Sequence, residues 1–157
     1  MEIGKALRVV EYAEGWRVWC IQETSSGLRL ASVIHDAAWP RGTDLVALCN
    51  LGEHVAPDVE CTCGIHAARE PASLWTYLRG RDEPATVARV LGQVALWGRV
   101  IEHEHGWRAE RAFPLSFVTG DPLLQRRLSS LVDADRIRGG HARQRHRVRR
   151  RRPRARA

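Results

Sequence analysis

Hydrophobic and polar residues alternate through much of the first third of the chain, which is typical of half-buried β-strands. Residues 6–20, ALRVVEYAEGWRVWC, predict a β-hairpin with its turn at Glu14-Gly15. Two further strands are predicted at residues 28–34 and 44–49. The sequence AWPRG at residues 38–42 separates them with turn-forming residues.

The pattern changes in the middle of the chain. Residues 50–63 predict an irregular loop, because Gly52 and Pro57 interrupt any regular element there. From residue 64 to residue 79 the apolar positions follow a partial helical period, and we expect a short central helix that Pro71 divides in two.

The second half of the chain returns to strand-like alternation. Residues 87–118 predict a second hairpin with its turn at His105-Gly106. Asp121-Pro122 predicts the start of a C-terminal amphipathic helix. The expected fold class is α+β: a small antiparallel sheet or partly open barrel of two related hairpins, with a short central helix and a C-terminal helix.

The two predicted hairpins share a sequence pattern. Residues 8–18, RVVEYAEGWRV, align with residues 99–109, RVIEHEHGWRA, so that arginine, valine, glutamate, glycine, tryptophan and arginine recur at the same offsets. A match of eleven residues is short for a duplication and is also expected of two hairpins with the same turn chemistry. We interpret it as support for two related hairpins in one sheet.

The net charge of +7 is distributed unevenly. Residues 136–157 contain eleven arginines and no acidic residue, which leaves a net charge of −4 on residues 1–135. We expect a globular domain over residues 1–135 and a disordered tail over 136–157, because the tail has few apolar residues. Such a tail can contact the phosphates of DNA or RNA; the candidate contacts are Arg143, Arg145, Arg147, Arg149, Arg150, Arg151 and Arg152. The alternative is an arginine-rich extension that reflects only a GC-rich coding sequence.

The sequence contains neither a run of about 20 apolar residues nor the basic and apolar start of a secretory signal. We therefore expect a cytoplasmic protein with no membrane association, in which the four cysteines stay reduced. Reduced cysteines of this kind bind metal, carry out chemistry or lie buried. Cys20, between Trp19 and Ile21, is expected to be a small buried residue.

Five potential metal ligands lie within eighteen positions, in and beside the predicted loop. Zinc is commonly bound by four cysteine and histidine side chains, and the set expected here is Cys49, His54, Cys61 and Cys63. His66 could replace His54. Gly64 would let the backbone turn sharply after Cys63. A zinc ion in this loop would be structural, and the competing interpretation is a redox pair formed by Cys61 and Cys63.

Other polar residues give little support for catalysis. The run Glu102-His103-Glu104-His105 leads into a glycine turn, and we interpret it as a solvated hairpin tip rather than an active site. The sequence has no phosphate-binding loop, zinc-protease motif or nucleophile elbow. Trp97 and Trp107 are candidates for stacking on nucleic-acid bases, although most tryptophans pack in cores.

The sequences CTCGIHA (residues 61–67) and LGQVALWGRVIEHEHGWRAERAFP (residues 91–114) resemble a group of small uncharacterised proteins from GC-rich bacteria. That group has a Cys-x-Cys-Gly-Ile-(Tyr or His)-Ala segment followed by a Gly-x-Val-x-Leu-Trp-Gly-x-Val hairpin. The resemblance implies a shared fold and no known activity. From the residues themselves we expect a non-enzymatic protein with a structural zinc site and a binding or regulatory role. The alternatives are a nucleic-acid-associated protein and a thiol redox protein.

Overall fold

The computed structural model describes residues 12–34, 37–79 and 85–132. These residues form a six-stranded antiparallel sheet and three short helical segments. In chain order the elements are β1 (Ala13–Thr24), β2 (Gly27–Ser32), β3 (Leu45–Val46), β4 (Ile65–Ala68), a 3₁₀ segment (Pro71–Leu74), α1 (Trp75–Leu78), β5 (Thr86–His103), β6 (Gly106–Val118) and α2 (Pro122–Ser129). The predicted α+β class is confirmed. The boundary at residue 135 and the arginine tail lie outside the described residues.

Two hairpins are present, as predicted, but the first turns at a different place, and the second turns one residue earlier than the predicted His105-Gly106 because Gly106 already begins β6. β1 and β2 are joined at Ser25-Ser26, and β5 and β6 at Glu104-His105. The predicted turn at Glu14-Gly15 is wrong, since both residues lie inside β1. Gly15 instead allows a close approach between strands: a Cβ there would lie 2.7 Å from the Cβ of Ala67 in β4.

Four strands pair in a closed circuit. β1 pairs with β5, β5 with β6, β6 with β4, and β4 with β1. The last contact is narrow because Trp16 and Ala68 are its only paired residues. β2 extends the sheet from β1, and β3 extends it from β6. The result is a small, partly open barrel.

The core is built around Trp19. Its indole is fully buried and makes edge-to-face contacts with Trp39, at 5.4 Å between ring centroids, and with Phe117, at 5.5 Å. Edge-to-face pairs of this kind add favourable electrostatics to the burial of large apolar surfaces. The aliphatic side chains of β5 that complete the core are Val90, Val94, Leu96 and Val100.

Two predictions for the middle of the chain are wrong. Residues 65–68 form β4 rather than the start of a helix, and helical structure begins only at Pro71. The predicted strand at residues 44–49 is reduced to β3, which pairs with β6 and not with β2. Local periodicity could not reveal either result, because both short strands depend on hydrogen bonds to the distant β6.

The C-terminal helix is confirmed. The Asp121 carboxylate accepts hydrogen bonds from the backbone N–H groups of Leu123 and Leu124, and Pro122 occupies the first turn. Leu128 and Leu131 are buried, whereas Leu123 is exposed. Among the described residues, no helix is long and apolar enough to cross a membrane.

The close packing of β5 and β6 gives a test of this fold. A Cβ on Gly92 would lie 2.0 Å from the carbonyl oxygen of Ser116 and 2.9 Å from the Trp19 ring. We expect Gly92→Ala to lower the free energy of unfolding by about 2 kcal/mol or more, as overpacked cores do. Urea denaturation would measure this change. Gly120→Ala is the control, because nothing lies within 4 Å of its added Cβ; equal stability of the two variants would contradict the strand packing.

Candidate metal centre

Four side chains of metal-ligating type meet beside β4. Cys49, His54, Cys61 and Cys63 each offer one ligand atom, and these atoms all lie within 4.8 Å of one another. The Sγ atoms of Cys49 and Cys61 are 3.7 Å apart, and His54 Nε2 lies 3.3 Å from Cys63 Sγ. The three cysteines are half-buried and free of disulfides, while His54 is exposed. These four residues are the set predicted from the sequence.

Two of the six separations between the ligand atoms match the edges of a zinc tetrahedron. Two sulfurs bound to zinc at about 2.3 Å lie about 3.8 Å apart, and a sulfur and an imidazole nitrogen lie about 3.5 Å apart. The observed 3.7 Å and 3.3 Å are close to these values. A disulfide would require about 2.0 Å between sulfurs. The cluster could therefore hold a metal ion.

The loop that carries the ligands, residues 47–64, connects β3 to β4 and is hereafter the metal loop. Cys61 and Cys63 come just before β4, and Gly64 between them and the strand has a φ of 115°. A Cβ on Gly64 would lie 2.9 Å from Pro57, so both the dihedral angle and the packing favour glycine. Ala56 and Pro57 are buried and anchor the middle of the loop. This anchor was not predicted from the sequence.

Arg108 stabilises the backbone of the metal loop by hydrogen bonds. The Arg108 side chain is only 6% exposed, and its Nη1 donates to the carbonyl oxygens of Asp58, Cys61 and Cys63, the last at 2.8 Å. A guanidinium can serve several acceptors at once, and a charged donor makes stronger hydrogen bonds than a neutral one. One arginine of β6 thus fixes the backbone at two of the ligands and at Asp58, three residues before the first of them. This role of Arg108 was not predicted from the sequence.

The repeated Gly-Trp-Arg sequence was the signal that could have pointed to Arg108. Its counterpart Arg17, on β1, donates from Nη1 to the carbonyl of His66 at 2.6 Å and lies 5.2 Å from the centroid of the Trp39 ring. Burial lowers the pKa of Arg17 to about 10. The two Gly-Trp-Arg segments therefore lie on the strands that pair with β4 on its two sides, β1 and β6. The arginine of each segment donates hydrogen bonds to backbone carbonyls within residues 58–66.

The local environment favours ionisation of the Cys61 thiol over that of Cys63. A hydrogen bond from the backbone of Cys63 is the main cause that lowers the pKa of Cys61 to about 7, against the opposing effect of burial. For Cys63 the main cause is burial, which raises the pKa of its thiol. A metal ion bound by these sulfurs would favour the thiolate form of all of them, since thiolates and not thiols are the ligands.

The remaining candidates lie apart from the cluster. His66 is exposed, and its Nε2 lies 2.8 Å from the carbonyl oxygen of Thr62, outside the group of four. Cys20 is buried in β1, as predicted. Glu104 and His105 are exposed at the tip of the second hairpin, which fits the interpretation of a solvated turn.

The tryptophans proposed for base stacking are half-buried. Trp107 lies under the guanidinium of Arg69, whose Cζ is 4.6 Å from the ring centroid. Arg69 also contacts Glu102 at 3.0 Å and so fastens the hairpin tip. The face of Trp107 is therefore engaged by an arginine, and Trp97 lies beside a bulge of β5 between Trp97 and Val100. The seven arginines proposed as phosphate contacts lie outside the described residues.

Comparison of the chain with protein-family models, with curated proteins and with solved structures found no match. The resemblance to small proteins of GC-rich bacteria stays a prediction from its sequence motifs. The interpretation of the site depends on its own geometry.

Proposed function

We propose that this protein is a non-enzymatic binding or regulatory protein in which a structural zinc ion holds the metal loop. The observation that carries the proposal is the convergence of Cys49, His54, Cys61 and Cys63, whose ligand atoms lie within 4.8 Å of one another. Four protein ligands complete a tetrahedron and leave no position for a substrate or an activated water. The set therefore supports a structural rather than a catalytic ion.

The chemistry of the ligands supports zinc in particular. Thiolates and imidazole are soft or borderline donors, which suit zinc and exclude magnesium and calcium as natural occupants. Three cysteines and one histidine form a recurrent donor set of structural zinc sites. Thiolate ligands also need a reducing environment, so the site supports the cytoplasmic location expected from the sequence.

The position of the ion suggests how it would act. The metal loop contains no helix or strand and spans eighteen residues between β3 and β4. Such a loop gains order mainly from a bound ion, because few of its side chains contribute to the core. The ion would fix the shape of an exposed surface, which is what a binding or regulatory protein requires.

The test is the metal content of full-length protein purified without chelator. We expect a zinc-to-protein ratio near one by elemental analysis, and a loss of thermal stability when a chelator removes the ion. A ratio near zero, four freely titrating thiols and no stabilisation by added zinc would reject the proposal. Phosphate contact by the tail and thiol redox chemistry stay predictions from the sequence.

A further inference from the structure

The metal loop exposes an unusual number of aliphatic side chains. The exposed fractions are 81% for Leu48, 86% for Leu51, 65% for Val55 and 42% for Val59. Each of these residues lies one or two positions from Cys49, His54 or Cys61. Because successive Cα atoms are about 3.8 Å apart, each aliphatic Cα lies within about 8 Å of a ligand Cα. The four exposed side chains are therefore all carried by backbone close to the ligand residues.

The same loop is acidic. Residues 47–64 contain Glu53, Asp58 and Glu60 and no lysine or arginine. Glu53 and Glu60 are exposed, and neither forms an ion pair with a described residue. The nearby Arg108 is buried against backbone carbonyls, and Arg111 is paired with Asp44 at 2.8 Å. A zinc ion with three thiolates adds a further net charge of −1. The metal loop thus carries both exposed aliphatic side chains and exposed carboxylates that form no ion pair with a described residue.

We propose that the arginine tail of the same chain, residues 136–157, docks on the metal loop. Charge complementarity favours this occupant. The tail contains eleven arginines and no acidic residue, whereas the loop contains three acidic residues and no lysine or arginine. A second copy of the metal loop would instead bring like charges together. The proposal rests on the proposed function in one respect, since the ion orders the loop on which the tail docks.

Arginine is chemically suited to a surface that is both apolar and acidic. Its three methylene groups cover aliphatic side chains, while its weakly hydrated guanidinium forms bidentate contacts with carboxylates. Lysine, which the tail lacks, presents a more strongly hydrated charge. The four consecutive residues Arg149, Arg150, Arg151 and Arg152 are the densest part of the tail.

The tail is long enough to reach the loop from any side of the domain. Twenty-five residues follow Val132, the last described residue, and an extended chain of that length spans roughly 80 Å. A domain of this size has a radius of gyration of roughly 14 Å. The covalent connection also gives the tail an effective concentration on the order of millimolar at the loop. Weak contacts are therefore sufficient for docking.

Nuclear magnetic resonance of the ¹⁵N-labelled full-length protein tests the docking. We compare the wild type with a variant carrying Arg149→Gln, Arg150→Gln, Arg151→Gln and Arg152→Gln, at about 50 mM salt. Amide shifts are expected to differ within residues 47–64 and not elsewhere in the domain. At about 500 mM salt the difference should disappear, because screening weakens exposed charge contacts.

A second pair of variants identifies the surface. Glu53→Gln with Glu60→Gln should weaken docking by up to about fivefold for each carboxylate. Glu70→Gln with Glu104→Gln removes the same charge from exposed positions outside the loop and should change nothing. Identical loop spectra of the wild type and the tail variant would overturn the proposal. So would shifts that vanish on dilution, which would indicate docking between two copies.

Metal analysis of the same samples separates the two proposals. Loop shifts with a zinc ratio near zero would reject the structural zinc ion and retain the docking of the tail. A zinc ratio near one without loop shifts would reject only the docking.

Discussion

Cys63→Ser is expected to remove the metal ion and to cause the largest loss of stability of any single change at the site. Cys63 provides one of four ligands, and its Sγ lies 3.3 Å from the Nε2 atom of His54. An ion present at about a thousand times its dissociation constant contributes about 4 kcal/mol to the free energy of unfolding. For a domain of this length such a loss lowers Tm by about 15 °C. Elemental analysis and calorimetry would measure both effects.

Cys20→Ala provides the matched control. Cys20 is also a cysteine outside any disulfide, but it is buried in β1 and lies outside the cluster. We expect Cys20→Ala to reduce stability moderately through lost packing, with no change in the zinc-to-protein ratio. If Cys63→Ser kept the wild-type ratio and Tm, the four residues could not form a structural zinc site.

Arg108→Met is expected to have the second-largest effect, about 3 kcal/mol on the free energy of unfolding. The methionine fills part of the space but leaves the carbonyls of Asp58, Cys61 and Cys63 without their charged donor. Removing one partner of a buried hydrogen bond costs more than the bond itself contributes. We also expect weaker zinc binding, because two of these carbonyls belong to ligands. Urea denaturation and competition with a chelator would measure the two quantities.

Arg111→Met separates this effect from the general loss of an arginine on β6. Arg111 is 42% exposed and forms an ion pair with Asp44, and exposed pairs of this kind contribute at most about 1 kcal/mol. Equal losses in the two variants would show that the carbonyl contacts of Arg108 are unimportant. A clear difference is expected in both stability and zinc affinity.

The features predicted correctly from the sequence are those encoded in short segments. Asp121-Pro122 specifies the start of α2 through a side-chain cap and a fixed φ, and neither depends on distant residues. The ligand set was predictable because cysteines and histidines that are close in sequence remain close in a loop of eighteen residues.

The features that were missed depend on contacts between distant parts of the chain. Residues 65–68 have no strand pattern long enough to identify; they become β4 because Gly15 and Gly106 allow close approach on both sides. Gly15 was assigned to a turn for the same reason, since a glycine needed for packing is indistinguishable in sequence from a glycine needed for a turn. Arg108 contacts carbonyls 45 to 50 positions away, beyond any local pattern.

The double pairing of β4 extends the influence of the metal loop beyond its own surface. This strand of four residues covers backbone groups of β6 on one side and of β1 on the other, and it begins two positions after Cys63. If the metal loop loses its order at Cys63, β4 is therefore loosened, and β4 covers part of the edges of both β1 and β6. Uncovered strand edges are where chains pair with other chains and aggregate. We therefore expect loss of order in the metal loop to expose strand edges through these four residues.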